Sequence, residues 1–161
     1  MSAAVTAPIA HNRQMAREFL TLLDPAAEKF TFQFIGDTSK GGAETFHGSL
    51  EEAWRKVEFL NNEQRQTGVF VTINKTDGEG RRTKNITRVR SLFVDADGPE
   101  QVRRCEEVLS ASGLSPSVVV WTGRGKHYYF LTSLPLDEFS DIQKYLIDKL
   151  GTDKSINDLP A

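Results

Sequence analysis

Leu92-Phe93-Val94-Asp95-Ala96-Asp97-Gly98 ends an apolar strand in two carboxylates spaced i, i+2, just before a glycine and a proline. Strand side chains alternate faces, so Asp95 and Asp97 project from the same one, close enough to share cations. Two ionised carboxylates at that separation repel, and a divalent metal relieves the repulsion most directly. The plainer alternative is an acidic strand-to-helix turn in which Asp97 caps a helix carrying Pro99 in its first turn. Both readings make this stretch a strand leading into a helix.

Outward from it, the pattern predicts a strand over Val89–Asp95, a helix over Pro99–Ser112 closed by Gly113, and a strand over Ser117–Thr122. A Gly-Arg-Gly turn then leads to a strand over Lys126–Thr132, and a helix over Asp137–Leu150 ends at Gly151. This is β-α-β-β-α, one strand short of the split βαβ pattern of ferredoxin-like and RRM-like sheets. The expected fold class is therefore α+β: an RRM-like antiparallel sheet with helices, plus an N-terminal αβ unit. The missing strand leads us to expect a half truncated at its C-terminus, or a last strand only partly present.

In the first half, Met15, Ala16, Phe19, Leu20, Leu22 and Leu23 recur at helical spacing and predict a helix over Asn12–Leu23. Phe30, Phe32 and Phe34 alternate with polar residues as a strand with one buried face. Gly36–Gly48 reads as a loop. Ser49 and Glu52 form a capping-box pattern opening a helix that runs to about Asn62, and Gly68–Asn74 reads as another strand. Phe30, Phe32, Phe34, Trp54 and Phe70 are assigned to core packing, and Met1–Ala10 are expected to fray. We expect one catalytic domain over 1–161, with an αβ unit at 1–87 and a metal-binding half at 88–161.

The split βαβ topology sets the third strand between the first two and antiparallel to the first. The end of the first strand, with Asp95 and Asp97, then lies beside the start of the third, with Lys126 and His127, and Asp153 arrives at the same edge. Thr122-Gly123-Arg124-Gly125-Lys126-His127 adds a turn whose backbone N–H groups and cationic side chains suit a phosphate. The alternative is an ordinary glycine hairpin with a surface arginine. Its glycine spacing matches neither a P-loop nor a dinucleotide fingerprint.

Composition narrows the class. With 161 residues, 39% of them hydrophobic, the chain can bury a substantial core, and its net charge of −2 argues against a surface coated in positive charge. Positive charge is nonetheless concentrated locally: Lys75, Arg81, Arg82, Lys84, Arg88 and Arg90 face only Asp77 and Glu79. The single cysteine, Cys105, excludes an intrachain disulfide and a cysteine-rich zinc site. No apolar run is long enough to span a bilayer and no export signal opens the chain, so a cytoplasmic protein without membrane partners is expected.

The ordered set of an Asp-x-Asp strand end, a Gly-x-Gly-x-His turn and a later aspartate resembles the three motifs of the archaeo-eukaryotic primase superfamily. GVFVTINKTDGEGRR and NITRVRSLFVDADG resemble most closely the RepB-like primase domains of plasmid, phage and integrated-element replication proteins. The resemblance implies a DNA primase/polymerase-type nucleotidyltransferase in which Asp95, Asp97 and Asp153 are catalytic and ligate metals, while His127 contacts the phosphates of the incoming NTP or dNTP. Arg124, Lys126, Gly125 and Thr122 would help to grip that triphosphate. Oxygen-only ligands favour Mg²⁺ or Mn²⁺, and a pair of such ions about 3.5–4 Å apart serves nucleotidyl transfer. Single-stranded template and primer would lie along Arg81, Arg82, Lys84 and Arg88, pairing through backbone phosphates. Asn74 is either a nucleotide contact or a turn cap. A helicase domain or other replisome protein is the expected partner.

Two other classes compete. A non-catalytic RRM-like nucleic-acid-binding module predicts exposed aromatics on the central strands, where this sequence has acids. A metal-dependent nuclease or phosphohydrolase would use the same carboxylates, and the Gly-Arg-Gly-Lys-His turn favours synthesis over it. A tyrosine nickase needs a pair of metal-binding histidines, whereas His11, His47 and His127 lie in unrelated segments.

Overall fold

The computed structural model describes residues 10–36, 42–62, 64–155 and 159. The frayed start expected over 1–10 lies, except for Ala10, outside the described residues. The first half runs α1 (Arg13–Leu23), β1 (Phe30–Gly36), β2 (Ala43–Gly48), α2 (Leu50–Leu60), β3 (Thr67–Val71), β4 (Lys75–Thr76), a 3-10 turn at Thr83–Asn85, and β5 (Ile86–Arg88). Asn12 caps α1 by accepting the Met15 N–H, and Ser49 and Glu52 cap α2 reciprocally as their spacing predicts.

β1 is the centre of an antiparallel sheet of order β2-β1-β3. Phe30, Phe32 and Phe34 turn one face of β1 into the core beneath α2, against Leu50, Ala53, Trp54 and Val57. The segment expected to be a loop carries strand structure, and so does part of the basic run. Part of Gly36–Gly48 is β2, because pairing along β1 satisfies its backbone and seats Phe46 near Phe32. Part of the basic segment is the β4–β5 ribbon.

The second half runs β6 (Ser91–Ala96), α3 (Gly98–Ser112), β7 (Val118–Trp121), β8 (Lys126–Leu131) and α4 (Phe139–Leu150). Sheet order is β6-β8-β7 with β8 antiparallel to both neighbours, so β6 and β7 are parallel and α3 crosses between them. Among the described residues no fourth strand follows α4. Val94, Ala96 and Tyr128 point to α3 and α4, where they bury Cys105, Leu109, Leu146, Ile147 and Leu150. Phe93 and Tyr129 point the other way and join the core of the first half. The fold is thus a mixed α+β arrangement of antiparallel sheets and four helices, with the two larger sheets facing each other across a cleft.

Buried polar clamps fix the start of β6. Asn74, fully buried, accepts the Arg90 N–H through Oδ1 at 2.9 Å and donates Nδ2 to the Leu159 carbonyl at 2.9 Å, so it is a structural tie. Gln143 of α4 accepts the Phe93 N–H and donates to the Phe93 carbonyl. Arg90, counted above in the basic run, is 4% exposed. Its Nε donates to Asp24 at 2.7 Å while its guanidinium lies over the Phe30 ring. Burial by itself raises the Asp24 carboxyl, but hydrogen bonds and charge from Arg90 and Arg88 outweigh it and hold the group below the usual carboxylate range.

A depressed carboxyl pKa contributes stability that is fully present above the unfolded value near 4 and is lost as pH falls through the lower folded value. Asp24→Asn leaves Arg90 buried without a counter-charge and should cost about 3–5 kcal/mol at pH 7. Urea denaturation of wild type and variant should show that gap narrowing as pH drops below 4, where the wild-type carboxylate itself protonates.

Candidate active site

The register of β6 against β8 sets Asp95 directly opposite His127, and Phe93 opposite Tyr129. Directly opposed residues share a face, so these four side chains line the cleft side of the sheet. His127 Nε2 stands 3.4 Å from Asp95 Oδ1, both groups partly exposed. The Tyr129 hydroxyl lies 3.3 Å from His127 Nδ1 on the ring's other edge. Burial and the charge of Asp95 push the Tyr129 hydroxyl up to about 12, so it remains protonated and can donate to Nδ1. With Tyr129 as the donor in that contact, the ring proton sits on Nε2, toward Asp95.

One residue earlier the strand alternation reverses the outlook. Lys126 lies on the helix face and ion-pairs with Glu106 of α3, on the opposite side of the sheet from His127. Lys126 therefore does not join His127 at one ligand. Tyr128 follows Lys126 onto that face.

The turn before β8 is tied to itself. The Gly125 N–H donates to Thr122 Oγ1 at 3.0 Å, and the Thr122 N–H and hydroxyl donate to the Gly125 carbonyl. The N–H expected to meet phosphate at Gly125 is thus engaged within the turn, and Thr122 closes that turn. Gly123 takes φ +88°, open to glycine without strain. Gly125 is needed for a different reason: a Cβ there would lie 2.0 Å from the Ala96 carbonyl oxygen and 3.1 Å from Asp97 Cα. The bare backbone lets β8 start flush against the end of β6.

Asp97 occupies the N-cap position of α3, with Pro99 in the first turn as the plainer reading expected, but its side chain makes no cap hydrogen bond. It accepts Arg124 at 3.1 Å instead, in a pair exposed on both sides. Asp153 comes to the same edge just after α4 and Gly151, where its N–H reaches the Asp95 carbonyl at 3.4 Å. The Asp153 carboxylate accepts the Ser155 N–H at 2.9 Å, which holds its pKa down. Asp95 is raised: burial is the main cause, His127 opposes it, and the charges of Asp97 and Asp153 add to it.

Asp97 from the end of β6 and Asp153 from the segment after α4 therefore both act on Asp95. Among the described residues no group of three or more His, Cys, Asp or Glu side chains stands close enough to hold a metal ion in this arrangement. The donor set nonetheless suits Mg²⁺ or Mn²⁺. It offers only oxygens, Asp95 already carries the repulsion a cation would remove, and Asp97 is diverted only by an exposed pair worth about 0–1 kcal/mol.

The cleft, about 450 Å³, lies between Asp95, His127 and Tyr129 on one wall and Gln33, Ile35 and Phe70 on the other. Arg81 reaches this cleft, whereas Arg82 and Lys84 are exposed outside it. Arg88 leaves the expected nucleic-acid set in part, since its guanidinium pairs with Asp24. Phe70 is not core: its register opposite Gln33 turns it to the cleft face, where it is 54% exposed.

No family model and no curated protein matches the sequence. Among solved structures, the AEP domain (PP-N190) of the primase-polymerase (PrimPol) of cyanophage S-2L is similar to this chain. The TM-score is 0.73 at 20% identity, covering 92% of this chain and 78% of that chain. The chain has the fold of that domain. Among the described residues no helix is long and apolar enough to cross a membrane.

Sequence reasoning missed Tyr129 and Phe70. Strand alternation could have found Tyr129, which lies two residues beyond His127 and so shares its face, whereas Phe70 needed the pairing with β1. Gly125→Ala should lower stability by about 1–3 kcal/mol, read by thermal denaturation. It should also broaden or shift the His127 ring signals in NMR, because the new methyl forces β8 off the end of β6.

Proposed function

We propose that this chain is a nucleotidyltransferase of the primase-polymerase type, a member of the archaeo-eukaryotic primase superfamily with RepB-like character, acting on a single-stranded DNA template. The observation that carries the reading is Asp95 opposite His127 at the mouth of the cleft, in a chain with the fold of a primase-polymerase AEP domain. In this reading 1–161 work as one catalytic unit: the αβ half supplies one wall, and an RRM-like half supplies the acids and the histidine. Replication of plasmid, phage or integrated DNA, beside a helicase or other replisome protein, is the setting that fits.

Asp95, Asp97 and Asp153 would hold Mg²⁺ or Mn²⁺, with Asp97 exchanging Arg124 for the cation. Bound divalent ions supply charge neutralisation at the triphosphate and a lowered pKa for the attacking 3′-hydroxyl. His127 would donate a hydrogen bond from Nε2 to a phosphate oxygen, its other ring nitrogen meeting the Tyr129 hydroxyl. Arg124, freed from Asp97, would pair with the phosphates as a planar two-pronged donor. Arg82 and Lys84, exposed on the basic loop, suit sequence-independent contact with template phosphates.

Asp95→Asn keeps the size of the side chain and removes its charge. It should reduce incorporation of labelled dNTPs on a primed single-stranded template with Mg²⁺ or Mn²⁺ by at least about a hundredfold, given the several kcal/mol that metal-borne charge stabilisation supplies. Its melting temperature should stay at or above that of wild type, because the substitution relieves carboxylate repulsion. Synthesis at the wild-type rate by the variant would overturn the reading.

A further inference from the structure

The wall of the cleft that faces the acids carries chemistry that the proposed transfer does not use. Phe70 is the exposed aromatic on that wall, and its place is fixed by what lies under it. Phe70 and Gly68 are i, i+2 on β3, and a Cβ at Gly68 would stand 2.7 Å from the Phe70 ring, so the ring occupies the space a side chain would take. Its outer surface is left to the cleft. Arg81 lines the same cavity with no ion-pair partner among the described residues, and its Nε is buried without a hydrogen bond. Thr72, 3% exposed and also lining the cavity, has an Oγ1 in the same condition. Arg81 thus brings to the cavity a positive charge that no carboxylate among the described residues pairs with.

We propose that Phe70 and Arg81 form a nucleoside subsite: the base of a bound nucleotide stacks on the Phe70 ring while the guanidinium of Arg81 donates to acceptors of the base or sugar. This rests on the nucleotidyltransferase reading and deepens it, because the nucleotide then spans the cleft with its phosphates toward His127 and Asp95. The size agrees, since about 450 Å³ lies within the roughly 300–1,000 Å³ usual for small-molecule sites. A π-face accepts every base, which suits an enzyme whose sequence choice comes from a template. The arrangement also reassigns Arg81, which faces the incoming nucleotide while its neighbours Arg82 and Lys84 face solvent.

The test is equilibrium binding of dGTP and of inorganic tripolyphosphate, each with Mn²⁺, to wild type, Phe70→Ala and Arg81→Gln. Stacking on an aromatic ring is worth about 1–3 kcal/mol per base, so Phe70→Ala should weaken dGTP about tenfold and leave tripolyphosphate within twofold. Arg81→Gln should weaken dGTP more than tripolyphosphate. In Phe70→Trp, the added indole emission should be quenched by dGTP and not by tripolyphosphate. Unchanged dGTP affinity in Phe70→Ala, or equal losses for both ligands in Arg81→Gln, overturns the subsite alone. A wild-type protein that binds neither ligand overturns the nucleotidyltransferase reading and the subsite with it. Quenching of Phe70→Trp by a single-stranded oligonucleotide but not by dGTP assigns the ring to a strand base and likewise overturns the proposal.

Discussion

The close approach of β8 to β6 is the constraint on which the rest depends. Antiparallel pairing fixes which residues oppose each other, and a slip of one position would send every side chain to the other face. Here the register places Asp95 and His127 on the cleft and Lys126 and Tyr128 on the helices. Gly125 makes that register possible at its tight end, where only a backbone without Cβ fits beneath the Ala96 carbonyl. The Thr122–Gly125 hydrogen bonds keep the turn short, so the strand begins at the acid pair with no slack. Hydrophobic burial then makes any slip costly, since Val94, Ala96 and Tyr128 would leave the core together.

Anchoring the far end of β6 requires polar groups, because that end lies where three segments meet away from water. Asn74 joins the start of β6 to Leu159 through three backbone partners, Arg90 N–H, Ser91 N–H and the Leu159 carbonyl. Gln143 does the same from α4. The Asp24–Arg90 pair adds a buried charge couple with Phe30 beneath it. A buried couple of this kind stabilises little over an apolar replacement but penalises loss of either member heavily, so its value lies in specifying position. The strand carrying Asp95 is accordingly held at both ends before any ligand arrives.

The sequence announced the second half more fully than the first. Apolar runs, Gly113, Gly151 and the Gly-Arg-Gly turn mark β6 to α4 with few misplaced boundaries, and the split topology brings Asp95 beside His127 by logic alone. β2 was illegible because Glu44-Thr45-Phe46-His47 has little apolar alternation and is made a strand by its partner β1. Phe70 was misread for a related reason: composition says buried, and only its pairing opposite Gln33 says which face. The basic run misled differently. Charge counting cannot distinguish Arg90, buried on Asp24, from Arg81, turned into the cleft, or from Arg82, left in water.

How the two walls are joined decides what kind of site the cleft can be. Phe93, Tyr129 and Phe139 of the second half share one core with Phe30, Phe32 and the helices of the first, and the Phe19 ring meets Tyr129 edge-on at 5.1 Å. The residue that orients His127 is therefore itself wedged by α1 of the opposite half. Movement of one wall against the other would have to break that shared packing, at about 25 cal/mol for each Å² of apolar surface exposed. Adjustment is cheaper at the rim, where Arg124 and Asp97 are paired in water and can part at almost no cost. The cleft is therefore a cavity of fixed shape, whereas the pair free to rearrange, Arg124 with Asp97, is exposed to water and outside the cavity lining.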